Sequence, residues 1–202
     1  MIHLPPALTP KELPQVIPFI SASGVVLLPG GLLPYHAQKA TDLKAIEQAL
    51  AKNRLIGIVQ PMSVDGDKKT LFRTGCLGKI TTFTEGSDGS YFLIINGMTS
   101  FSILDEHKKD LLQVNYLDTT LQDEPSTPYD RIKLLNLLRD YLSSHKMSVN
   151  WDDVIAASDE SLVTSLAMMC PFHASEKQAI LESRSLRERF HMLTAFMEVS
   201  QL

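Results

Sequence analysis

The chain has 202 residues, 44% of them hydrophobic and 21% charged, with a formal net charge of −4. That length and apolar content suit one large or two small globular domains with a full core. The charge is unevenly placed: residues 1–122 carry 11 Lys/Arg against 11 Asp/Glu and residues 123–202 carry 8 against 12, so neither half has the cationic surplus that phosphate binding requires. No apolar run approaches the roughly 18 residues of a membrane helix, and Met1-Ile2-His3-Leu4-Pro5-Pro6 lacks the basic start of a signal peptide. Cys76 and Cys170 stand far apart and outside any CxxC arrangement. They are expected to be buried, reduced thiols of a cytoplasmic, soluble protein.

Residues 1–14 hold four prolines and are expected to form a loosely docked arm. Val16–Ile20 reads as a strand on a sheet edge, because Pro18 has no amide to give a ladder. Val25–Leu28 is β-branched and aliphatic and reads as a short core strand. Pro29-Gly30-Gly31 then supplies a sharp turn, with Pro29 presetting φ and the glycines open to positive φ. Pro34 limits sheet pairing beyond it. Thr41–Lys52 is the one helix in this half, with Leu43, Ile46 and Leu50 on a shared face.

Leu55–Gln60 returns as a strand stopped by Pro61, and Val64–Lys69 reads as a charged loop. Two longer strands, Leu71–Thr84 and Tyr91–Thr99, are joined around Gly86-Ser87-Asp88-Gly89 as a hairpin. Phe101 and Ile103, then Val114 and Tyr116, alternate with polar residues as half-buried strands do. Many short strands and one helix predict a small, strongly curved sheet or pseudo-barrel over residues 15–122.

Glu124-Pro125-Ser126-Thr127-Pro128 marks a boundary, after which the apolar period becomes helical. Ile132, Leu135, Leu138 and Leu142 form a stripe on a first helix, aided by Leu134 and Tyr141. Asn150 and Ser158 are placed to cap the next two helices, the second with Leu162, Leu166 and Met169 on one side. Ser175 with Gln178, and Ser185 with Glu188, fit the capping-box spacing. Residues 123–202 are therefore read as a bundle of four or five helices, and the fold class as α+β.

Taken in order, several segments resemble the Lon amino-terminal (substrate-binding) family. Phe19 to Pro34 resembles its opening strand, turn and strand. Arg54–Pro61 resembles its post-helix strand, and Gly75-Cys76-Leu77-Gly78-Lys79-Ile80 its glycine-containing strand. Tyr91–Phe101, with Gly97, resembles its next hairpin. Trp151, Leu166–Phe172 and Glu176-Lys177-Gln178 resemble the helical tail of stand-alone bacterial Lon-domain proteins. The resemblance covers roughly residues 15 to 200 and implies a PUA-like β-barrel that recognises polypeptide. Its departures are local. The family's usual His-Ile-Phe-Glu-Pro-Arg-Tyr after this turn is His36-Ala37-Gln38-Lys39-Ala40-Thr41-Asp42 here, and the usual Arg before Phe101 is Ser100.

Catalysis is not expected. There is no GxxxxGK[ST] phosphate loop and no GxSxG elbow. The chain also ends before a protease module with a Ser-Lys dyad of the kind full-length Lon carries. Ser175/Lys177 and Ser144/Lys146 are two residues apart and point away from each other on a helix. His173 and Glu176 at i, i+3 offer two ligands where a metal takes three or four. Cys76 reads as core, His36 as surface or cap, and no cofactor is expected. The expected function is a non-catalytic recognition or adaptor module for unfolded polypeptide or a partner protein. Leu32, Leu33, Tyr35, Met62 and Met98 are its candidate peptide contacts. An RNA-binding PUA-like module is the alternative reading, and a hydrolase the third.

Overall fold

The computed structural model describes residues 12–65, 68–107, 110–117 and 130–200. Most of the expected arm and the boundary segment Glu124–Pro128 lie outside the described residues. The strands are β1 (Val16–Ser21), β2 (Leu32–Ala37), β3 (Leu55–Val59), β4 (Pro61–Asp65), β5 (Lys68–Leu71), β6 (Thr74–Glu85), β7 (Tyr91–His107) and β8 (Leu111–Tyr116). The helices are α1 (Ala40–Leu50), α2 (Arg131–Ser144), α3 (Trp151–Ala156), α4 (Asp159–Met169), α5 (Ala174–Glu182) and α6 (Leu186–Val199). The fold is α+β, with a mixed sheet followed by a helical segment.

Five strands close on themselves in the order β7-β6-β3-β1-β8, because β8 pairs back onto β7. Closure is possible because β7 is long enough to serve two neighbours along one side. Residues 91–96 pair with β2, and residues 101–107 pair with β8. Each ring strand sends side chains into one cluster: Ile17, Leu55 and Val59, Leu77, Phe101 and Ile103, Leu112 and Val114. That cluster is the barrel interior. A larger core lies between the outer sheet surface and the helices, and joins Ile56, Ile58, Ile95 and Ile46 to Leu138, Tyr141, Leu166 and Leu193.

Three strand expectations are corrected. β1 is an interior strand, bonded to β8 through Val16–Pro18 and to β3 through Phe19–Ser21. Pro18 is tolerated because the ladder changes sides immediately after it. Val25–Leu28 joins no ladder, although Val26, Leu27 and Leu28 are buried. It presses instead on a glycine pair matched across β6 and β7, Gly78 and Gly97. A Cβ on Gly97 would lie 1.9 Å from the Leu28 carbonyl oxygen, so this crossing needs bare backbone beneath it. Of the stretch expected as a charged loop, Val64 and Asp65 lie on β4 and Lys68 and Lys69 on β5, the two strands pairing as a ribbon with Asp65 matched with Lys68, while Gly66 and Asp67 lie outside the described residues. The turn reads as expected: Gly31 N–H donates to Leu28 O at 2.9 Å with Gly30 at φ +77°.

Among the helices, Asn150, Ser158 and Ser185 cap α3, α4 and α6 as their spacing predicts. The cap of α5 is His173 rather than Ser175: Ser175 N–H donates to His173 Nδ1, and His173 N–H donates to Glu176 Oε2 at 2.7 Å. On α2 the buried face is Leu134, Leu138, Tyr141 and Leu142. Ile132 is exposed, two residues and about 200° of helix away from Leu134. Met169, the last residue of α4, is also exposed, whereas Met168 packs over Gly31. On α1 the buried residues are Asp42, Ala45, Ile46 and Ala49, with Leu43 and Leu50 only partly covered.

A polar cluster fastens the helices to the barrel. Buried Gln60 accepts from Gly24 N–H at 3.1 Å and donates to Ala174 O at 3.0 Å. Gln178 donates to Thr74 O at 3.1 Å, and Lys177 Nζ donates to Gly24 O and Met168 O at 3.0 Å each. Removing one such partner strands the others away from water, so the cluster fixes how the halves dock.

Candidate functional site

Beyond the barrel, β6 and β7 run on and take up β2 as a third strand. Two ladder irregularities shape this extension, with Met98 the extra residue on β7 and Thr81 the extra residue on β6. Thr81 compensates for its lost pairing by donating its hydroxyl to Ile94 O at 3.1 Å. One side of the three-stranded extension, carrying Leu93 and Ile95, packs on the larger core. The other side faces solvent.

That open side is set by register. Leu32 is matched with Asn96 and Asn96 with Lys79; Pro34 with Ile94 and Ile94 with Thr82; His36 with Phe92 and Phe92 with Thr84. All nine residues are exposed. Leu32 is 62% exposed, Phe92 49% and Ile94 38%, and Phe92 lies flat against His36 with ring centroids 4.1 Å apart and 6° between planes. The apolar side chains are contiguous, since paired positions on one sheet face lie about 5 Å apart. Exposed apolar groups scattered singly need no explanation; here they are connected across one side of a sheet.

The free border of β2 is a poorer place for a peptide. Gly97 N–H donates to Gly31 O at 2.8 Å, and alternation from there turns the amides of Leu33 and Tyr35 toward β7. The outward positions are Leu32, Pro34 and His36, and Pro34 has no amide. A strand added at that border would lack its central donor.

The five sequence-expected contacts do not converge. Leu32 is on the open face. Leu33 and Tyr35 point to the opposite side, onto the larger core, and Tyr35 donates its hydroxyl to Asp42 Oδ2 at 2.7 Å. Burial and that carboxylate hold the Tyr35 phenol well above its usual pKa. Met62 is 57% exposed on the separate ribbon, and Met98, at its bulge, leans on the barrel interior. Phe92, Ile94, Pro34 and His36 were not anticipated. The signal for two of them lies in Tyr91-Phe92-Leu93-Ile94-Ile95, which is apolar on both faces of a strand whose sheet has only one covered side.

Elsewhere, reactive groups are occupied structurally. His173 and Glu176 form the α5 cap, and Ser175 Oγ lies 2.8 Å from His173 Nδ1. Among the described residues no three His, Cys, Asp or Glu side chains come together as a metal site. No helix among them is long and apolar enough to cross a membrane. A cleft of about 200 Å³ lies beside α1, lined by Phe19, Asp42, Leu71, Glu106 and Asp110 among others. It is smaller than the roughly 300–1,000 Å³ usual for a small-molecule site.

Both thiols are buried and unpaired, and burial pushes each from 9.0 up to about 12. Burial likewise raises Tyr116 and Tyr141 from 10.0 to about 12. For all four groups the unfolded chain loses its proton first, so stability falls as pH rises from 9 toward 12. The urea midpoint is expected to drop between about pH 8 and about pH 10. At about pH 8, iodoacetamide should modify Cys76 and Cys170 only after denaturation.

A family model described as ATP-dependent protease La (LON) substrate-binding domain matches residues 16–199. Relatives include Lon protease 2 of Myxococcus xanthus, 23% identical over 201 residues (94% of this chain, 24% of that protein). Lon protease of Haemophilus influenzae is 23% identical over 199 residues (93% of this chain, 24% of that protein). The chain thus spans about a quarter of the length of these relatives. Among solved structures, the Lon N-terminal domain protein from Xanthomonas campestris superposes with a TM-score of 0.64 at 18% identity, covering 90% of this chain and 98% of that one. The N-terminal domain of Mycobacterium avium complex Lon protease gives 0.60 at 18%, covering 91% and 98%.

Proposed function

Because the chain belongs to the ATP-dependent protease La (LON) substrate-binding domain family, we propose that it recognises polypeptide and does so without breaking bonds, as a binding or adaptor module of the cytoplasm. The observation that carries this reading is the open face of β6, β7 and β2, where Leu32, Pro34, Phe92 and Ile94 are held in register and left uncovered. An open apolar surface bordered by Thr82 and Thr84 of β6 suits the side chains of an unfolded segment, which expose apolar groups in no fixed arrangement. Docking is through side chains lying on the face, since Pro34 blunts the border of β2. Leu33 and Tyr35 act from beneath by holding β2 against the core.

The test is fluorescence anisotropy with a labelled, reduced and carboxymethylated protein that cannot refold, set against its folded form. Saturable binding to the unfolded form alone is the expected result. Failure to bind it, together with salt-sensitive binding to a structured RNA, would replace this reading with nucleic-acid recognition.

A further inference from the structure

We infer that the open face selects by charge as well as by apolarity, taking apolar segments that carry an acidic residue at one end; this rests on the polypeptide reading above. The nine face positions include no carboxylate and one permanent charge, the ammonium of Lys79. Lys79 is exposed and has no ion pair or hydrogen-bonding side-chain partner among the described residues. Its position follows from strand alternation: Leu77 lies in the barrel interior, and Lys79, two residues on, emerges on the same side where the barrel ends. It shares a row with Asn96 and Leu32.

The opposite end has the reverse character. The row of His36 and Phe92 lies four residues along, about 13 Å away at strand spacing. There the turn between β6 and β7 carries Asp88, whose carboxylate accepts from the Ser90 amide at 3.0 Å and from the Ser90 hydroxyl at 2.6 Å. The face therefore runs from a free cation through an apolar middle toward the turn that carries Asp88. A segment with an acidic residue beside its apolar stretch satisfies the Lys79 end. A basic residue in that place meets like charge across low-dielectric apolar surface.

The experiment uses three labelled peptides with one apolar core (Leu-Phe-Val-Leu), glutamine at one end, and Glu, Gln or Lys at the other, each tested in both orientations. In one orientation the Glu peptide is expected to bind about threefold to fivefold more tightly than the Lys peptide, with the gap closing at high salt. Lys79→Gln should abolish the preference and Lys79→Glu should reverse it, while both variants keep the thermal midpoint of the parent. Equal binding of all peptides, or an unchanged order in Lys79→Glu, overturns charge selection and leaves polypeptide recognition standing. Binding of none of them overturns both.

Discussion

Gly97→Ala is expected to destabilise the fold by about 3 kcal/mol or more, the upper end of what overpacking costs. A methyl at this position would sit 1.9 Å from Leu28 O and 3.2 Å from Leu27 Cδ1. The first contact is with backbone, which no rotamer change relieves. Leu28 in turn is tied on both sides, since Gly31 N–H donates to its carbonyl and Gly30 N–H donates to Gly97 O at 3.0 Å. Relief would mean lifting the whole Val25–Leu28 segment off β7 and exposing three buried side chains. For a chain of this size the melting temperature should fall by roughly 6–12 °C. Gly30→Ala is the control: it places a side chain at φ +77° in open space and should cost only about 1–2 kcal/mol. Equal effects from the two substitutions would show that the crossing over Gly97 is not tight.

The second large effect concerns binding. Phe92→Asp combined with Ile94→Asp should weaken association with unfolded polypeptide by at least about 30-fold, the loss expected when a central apolar anchor pair is removed. Phe92 and Ile94 occupy the middle strand of the open face, between β2 and β6, and any segment lying there must cover them. Both are exposed, so the folded state should lose only about 1 kcal/mol, chiefly from the stack of Phe92 on His36. Met62→Asp, an equally exposed apolar residue on the β4–β5 ribbon, should leave affinity within about twofold. Parent-like binding by the double variant would place recognition elsewhere on the molecule.

Much of the architecture is legible in local chemistry. Alternation marks Val114 and Tyr116, glycines mark the β6–β7 turn, and Asn150, Ser158 and Ser185 mark where three helices begin. What escapes is whatever depends on partners distant in sequence. Val25–Leu28 has strand composition, yet whether it finds a ladder is decided by Gly78 and Gly97, some fifty residues or more away. Pro18 signals an edge only if one side of its strand is free, and here the pairing changes sides at that residue. Ile132 and Met169 fit a helical stripe, but the phase of the stripe is fixed by what packs against it. The candidate face is hidden for the same reason. Leu32 is visible as an apolar residue near a turn, whereas Phe92 and Ile94 look like neighbours in a buried run until the register exposes one side of it.

The missing amide of Pro34 bears on solubility as much as on recognition. A molecule that displays a greasy sheet to its surroundings risks being stitched to its own kind, rim against rim, into growing fibrils. With Pro34 in the middle of the β2 rim of that surface, two copies cannot knit a continuous ladder along that rim. Adhesiveness is thereby kept to a plane that others can touch, and denied to the seam that β2 would otherwise offer.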